Sequence, residues 1–101
     1  MSVYVDPQFT TAVVVHWRWP SACHLFADST VELHRFAARI GLKHVWFQYR
    51  GSGGLPHYDL NLNKRRKAVF AGAIELDRAT AGAKIREIRR LPLGRAAARE
   101  N

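Results

Sequence analysis

The run CHLFADSTVELHRFAARIG, residues 23 to 41, constrains the fold more than any other stretch. His24 to Ala27 has the composition of a short strand, and within two residues the chain turns into a helix. Ser29, Thr30, Val31 and Glu32 form an S-x-x-E capping box, in which the serine oxygen and the glutamate each satisfy a backbone N–H that the first turn leaves unpaired. Leu33, Phe36, Ala37 and Ile40 then recur at helical spacing, so one face is apolar, and Gly41 supplies the left-handed terminus.

Strand-like and helix-like segments alternate through the rest of the chain. Val3 to Val5 reads as a brief buried strand closed by Asp6 and Pro7. Ala12 to Val15 is apolar but runs into His16, Trp17, Arg18, Trp19 and Pro20, a hairpin arm or a flap. Val45 to Tyr49 has strand composition, and GSGGLP at 51 to 56 is a flexible loop. Asn61 to Ala71 reads as a helix capped by Asn61 or Asn63, with Leu62, Val69 and Phe70 inward and Lys64, Arg65, Arg66 and Lys67 outward. Ala73 to Leu76 is a further strand. Asp77 or Thr80 caps a last helix whose Ala81, Ile85, Ile88 and Leu91 face the core before Pro92 stops it. Helices that follow strands in this way predict an α/β fold: a small, mostly parallel sheet of about four strands covered by three helices. A chain of 101 residues supports one core, so residues 1–91 are read as a single domain and 92–101 as a basic, flexible tail.

The formal charge is +8, and eleven of the sixteen Lys and Arg lie from Lys64 onward. Such a field favours polyanions, nucleic acid or nucleotides above all. Cys23 is the single cysteine, which excludes an internal disulfide and suits a reducing, cytoplasmic setting, with the thiol itself a small buried apolar group. The start MSVYVDPQF is no signal peptide, and no window approaches the ~18 apolar residues of a membrane span, so no membrane partner is expected.

In an open parallel sheet the carboxyl ends of the strands share one edge, where ligands bind. That edge would collect Asp6, Asp28, His57 with Asp59, and Asp77 after the last strand. Asp6, Asp28 and Asp59 suit a hard divalent cation, Mg²⁺ or Mn²⁺, and His57 a proton carrier, the parts of a metal-dependent phosphodiester hydrolase. His24, Gln48, Tyr58 and the run Lys64, Arg65, Arg66 and Lys67 are candidates for holding the substrate. His24 and Asp28 point to one side of the sheet but stand ~13 Å apart along an extended chain. Each residue also has a plain structural role available. Asp6 suits a turn before Pro7, Asp28 and Asp59 suit helix N-termini, His24 suits a satisfied core position, and the KRRK run suits a solvated face. Trp17 and Trp19 are either a stacking platform or core anchors, and His16, His34 and His44 are read as surface or loop residues. The convergence depends on parallel strands, since antiparallel neighbours would send these groups to opposite rims.

The motifs VYVDP, HL-x-AD followed by ELH-x-FA, WFQ and HYDL, across residues 2 to 76, resemble the family known as domain of unknown function 4031. The matching polar positions are Asp6, His24, Asp28, Gln48, His57, Tyr58, Asp59 and Arg65. The first loop, QFTTAVVVHWRW, is longer and less polar than the family pattern. The resemblance implies a phage-related setting and, through relatives joined to a phosphohydrolase-type domain, nucleotide or nucleic-acid metabolism. The competing expectation is a non-catalytic phage or host accessory module that binds nucleic acid or a protein partner through its basic helices, with Arg86, Arg89 and Arg90 exposed.

Overall fold

The computed structural model describes residues 2–11, 17–51 and 53–90. The elements in chain order are β1 (Val3–Val5), β2 (Phe9–Thr10), β3 (Ser21–Ala27), α1 (Thr30–Arg39), a 3₁₀ turn (His44–Trp46), β4 (Tyr58–Leu60), α2 (Leu62–Phe70), β5 (Ile74–Glu75) and α3 (Arg78–Arg90). They form a small single-domain α/β fold with one mixed five-stranded sheet. The arm at Ala12–Val15, His16, Leu91 and the tail from Pro92 lie outside the described residues.

β3 organises the sheet. It pairs antiparallel with β1 (Val5 opposite Leu25), with β2 (Phe9 opposite Ala22) and with β4 (His24 opposite Asp59), whereas β5 runs parallel to β1. The sheet is therefore mostly antiparallel, which corrects the mostly parallel expectation. The expectation took each strand–helix step for a crossover to a parallel neighbour. After α1 the chain instead passes through the 3₁₀ turn and the glycine loop and comes back beside β3 in the opposite direction as β4.

The strand expected at Val45–Tyr49 is also corrected. His44–Trp46 is a 3₁₀ turn, Val45 is 82% exposed, and Gln48 alone makes a bridge, to His57. The strand in this region is Tyr58–Leu60, whose alternation buries Tyr58 and Leu60 and leaves Asp59 on the other face.

The pleat divides the core in two. Val3, Val5, Cys23, Leu25, Tyr58 and Leu60 face Leu33, Phe36, Ala37 and Ile40 of α1 and Ala68 of α2. On the opposite face Tyr4 and Phe26 pack with Leu55 and with Ile88 of α3, flanked by Leu76 and Ile85. Helix α1 has the expected ends: Ser29 Oγ accepts from the Glu32 N–H at 3.1 Å, and Gly41 takes φ +84° after it. Asn61 caps α2 through Lys64 N–H at 2.8 Å, and Asp77 caps α3 through Thr80 N–H at 2.7 Å. The inward face expected for α2 is corrected in part: Val69 packs against the core and Ala68 is buried, whereas Leu62 and Phe70 are exposed. Among the described residues no helix is long and apolar enough to cross a membrane.

Candidate metal centre

In an extended strand alternate residues share a face, so Asp6 follows Tyr4, His24 precedes Phe26, and His57 and Asp59 flank Tyr58. All four therefore lie on the face that α3 covers, beyond its apolar part. Pairing then sets them in a row. The Asp6 N–H donates to the His24 carbonyl at 3.4 Å, and His24 stands opposite Asp59. Gln48 extends the row by exchanging two backbone hydrogen bonds with His57, 2.8 and 3.0 Å long.

The side chains meet closely. Asp6, 8% exposed, accepts from the His24 backbone N–H through Oδ1 and faces His24 Nδ1 through Oδ2, both at 2.6 Å. His57 Nδ1 donates to the Leu55 carbonyl at 2.7 Å. Each imidazole thus has its Nδ1 engaged by an acceptor, which holds the ring in place and leaves the Nε2 lone pair outward in the neutral form. The two rings stand edge to face, 5.0 Å between centroids. His57 Nε2 lies 3.4 Å from Asp59 Oδ1, and Gln48 Nε2 donates to the other oxygen of that carboxylate at 2.5 Å. The 3.4 Å separation is long for a charged hydrogen bond and matches two ligands each about 2.1 Å from a tetrahedral ion. One ligand atom from each of His24, His57 and Asp59 lies within 4.8 Å of the others.

The electrostatics favour a cation. Burial alone would lower the His24 pKa, but the hydrogen bond and charge of Asp6, with Asp59 behind them, raise it. Burial would raise that of Asp59, but the nearby His57 ring, the Gln48 hydrogen bond and His24 beyond outweigh it, so the carboxylate is held below its ordinary range. These groups open onto a cavity of about 420 Å³ whose wall includes Phe9, Trp17, Leu55 and Ile85 and two guanidinium groups, Arg50 and Arg89.

Antiparallel pairing therefore gathers Asp6, His24, Gln48, His57 and Asp59 through register across three strands, without the shared edge that the sequence reading required. Asp77, the α3 cap, is left out, and so is Asp28. Two residues beyond Phe26, it accepts from Ser2 N–H at 3.1 Å and Tyr4 Oη at 2.9 Å, and pairs with Lys84 at 3.2 Å. Burial would raise its pKa, but those hydrogen bonds and the Lys84 charge bring it below the ordinary value. A carboxylate with a depressed folded pKa stabilises the protein above its unfolded value of about 3.9 and loses that contribution as pH falls through the folded one. Asp28→Asn is therefore expected to lower the melting temperature at neutral pH, with the gap to the parent beginning to close near about pH 4 and vanishing as pH falls through the lower folded value. A difference that persists unchanged into that acid range would rule out the ion pair as its cause.

Other candidates lie elsewhere. Tyr58, expected near the substrate, is 1% exposed on the opposite face, with its hydroxyl 2.9 Å from His34 Nδ1 and its pKa raised by burial. His34, read as a surface residue, is half-buried against the rings of Phe47 and His44. The KRRK run is divided. Arg65 donates to the Asp6 carbonyl at 3.1 Å and to Glu75 at 2.9 Å, and Lys64 reaches the Ile40 carbonyl at 3.4 Å, while Arg66 and Lys67 are exposed. Cys23 is fully buried and its thiol is pushed up to about 12, chiefly by desolvation, so it is no nucleophile at neutral pH. Arg50 and Arg89 were missed as site residues. Arg50 lies just ahead of the glycine loop, and Arg89 is one of several arginines on α3 that the sequence cannot tell apart.

The fold and this cluster define a small α/β domain with a histidine–carboxylate pocket on one sheet face. The chain belongs to the family described as "Protein of unknown function (DUF4031)", whose model matches residues 3–88. No curated protein and no solved structure matches it.

Proposed function

We propose that the protein is a metal-dependent phosphodiester hydrolase, or a binding protein for the same phosphate-bearing ligands, with nucleic acid or a nucleotide as the ligand class. The observation that carries this reading is the convergence of His24, His57 and Asp59, both imidazoles braced at Nδ1, on a cavity that also contains Arg50 and Arg89. Two imidazoles and one carboxylate suit Zn²⁺ or Mn²⁺ better than Mg²⁺, which prefers oxygen donors. This replaces the carboxylate set Asp6, Asp28 and Asp59 expected from the sequence. Asp6 becomes the group that orients His24, and Asp28 has no part.

A bound ion supplies charge at a phosphoryl oxygen and a water acidified toward neutrality. Arg50 and Arg89, on the wall of the same cavity, would take the remaining phosphate oxygens, where a guanidinium can bind two at once. Water oxygen would form the new P–O bond as it gives up a proton to solvent, the ester P–O bond would break, and the departing alkoxide would take a proton from solvent.

Titration with Zn²⁺ or Mn²⁺ is expected to raise the melting temperature, by an amount that follows RT ln(1 + [L]/Kd). Bis(p-nitrophenyl) phosphate should be hydrolysed by the loaded protein. His57→Ala and Asp59→Asn are each expected to abolish both responses. An equal thermal shift in parent and both variants would end the metal assignment, and ion binding without turnover would leave the binding form of the reading.

A further inference from the structure

Resting on that phosphate-ligand reading, we propose that the substrate is single-stranded nucleic acid. The strand would lie in a groove that leaves the His24–His57–Asp59 cavity over Gln48 and Asp59 and continues across Trp19 and Trp46. A second cavity, of about 590 Å³, shares Trp17, Gln48 and Asp59 with the first, so the two adjoin along one wall. That wall is fixed by the Gln48–Asp59 hydrogen bond and by Trp17, whose indole N–H donates to the Ser21 carbonyl at 3.1 Å.

The lining of the second cavity combines two chemistries. Trp46 is 47% and Trp19 38% exposed, although each could have buried a large apolar area in the core. Each also has a cation over its face: the Arg18 guanidinium 4.6 Å from the Trp19 ring centre, and the Lys43 ammonium 5.6 Å from that of Trp46. Lys64 lines the same groove. Ring faces with neighbouring cations along a groove are what an unpaired strand needs, since bases stack on the aromatics while phosphates meet the charges. A duplex keeps its base faces inside its own stack and offers them to no tryptophan. An acidic polypeptide would satisfy the charges but leave the ring faces unused.

The test is the anisotropy of a fluorescein-labelled oligothymidylate of about 12 nucleotides, within the site size of such grooves, measured in EDTA. Binding is expected to weaken as salt rises, and Lys64→Ala should reduce the slope of log K against log salt by about 0.7. Trp46→Ala and Trp19→Ala are each expected to weaken binding about 5- to 100-fold, with melting temperatures equal to the parent's. A duplex of the same length and poly-glutamate should compete poorly. Competition by either as effective as by the single strand would overturn the proposal, as would unaltered affinity in both tryptophan variants. Working in EDTA, with His57→Ala alongside, separates the two readings. Oligonucleotide binding by a parent protein whose melting temperature does not respond to Zn²⁺ or Mn²⁺ would sink the metal centre alone. Ion binding and turnover of the small diester without oligonucleotide binding would sink the nucleic-acid groove alone.

Discussion

Asp6→Asn is expected to weaken Zn²⁺ or Mn²⁺ binding about 10- to 100-fold, although Asp6 is not a ligand. The reason is the proton on His24. The Asp6 carboxylate uses both oxygens, one on the His24 backbone N–H and one on ring Nδ1. An asparagine in the same pose keeps its oxygen on the backbone N–H and turns its NH₂ toward the ring. Nδ1 must then accept, so the imidazole proton moves to Nε2 and occupies the lone pair that an ion requires. The substitution thus reverses a tautomer while keeping shape and most packing. Ion affinity by calorimetry and imidazole ¹⁵N shifts of the ion-free protein are the measurements. The expected result is weaker binding together with a His24 spectrum of the opposite tautomer. Retained affinity, or lost affinity with the tautomer unchanged, would contradict the role assigned to Asp6.

Phe26→Ala is expected to destabilise the protein by about 3–5 kcal/mol, the usual cost of truncating a buried phenylalanine. Phe26 is fully buried, its ring centre 5.6 Å from that of Tyr4, in the cluster that holds α3 to the sheet. Domains of this size have about 5–15 kcal/mol in all, and each kcal/mol moves the melting temperature by about 4–8 °C. The loss should be plain in urea or thermal melts beside Val31→Ala, an exposed site where changes stay near 0.5 kcal/mol. A functional consequence follows from the position. Ile85 and Arg89 reach the first cavity from α3, whereas His24, His57 and Asp59 are held by strand pairing. Loosening α3 should therefore weaken phosphate-ligand binding more than ion binding. A melting shift no larger than that of Val31→Ala would refute the packing argument.

Where the signals are local, the chain is readable. The Ser29, Asn61 and Asp77 caps and the Gly41 terminus all depend on residues within four positions of one another, and each appears in the structure. Strand direction depends on which distant segments pair, and no short stretch carries that information. VWFQY has strand composition yet leaves Val45 largely and Trp46 nearly half in solvent, whereas the three residues of β4 are chosen by their fit beside β3. The site shows both sides of this. Alternation correctly set His24, Phe26 and Asp28 on one face, but a repeat of ~6.6 Å per residue pair puts Asp28 at the far side of Phe26, where Tyr4 and Lys84 claim it. Asp6, His24, His57 and Asp59 were all candidates, and what was illegible was their common row, created by antiparallel register. Arg89 could not be singled out because its relation to the cavity depends on how α3 crosses the sheet.

The parallel strand β5 has a consequence for the molecule at high concentration. It is the outermost strand on its side, two residues long, and its Glu75 carboxylate is engaged by Arg65. At the other flank, Gln48 occupies the backbone of His57 at the entry to β4. Long bare borders let one chain continue the ladder of another, and short or charged ones do not. The outer strands β2, β4 and β5 are only two or three residues long, so each offers little template for strand addition by a neighbour.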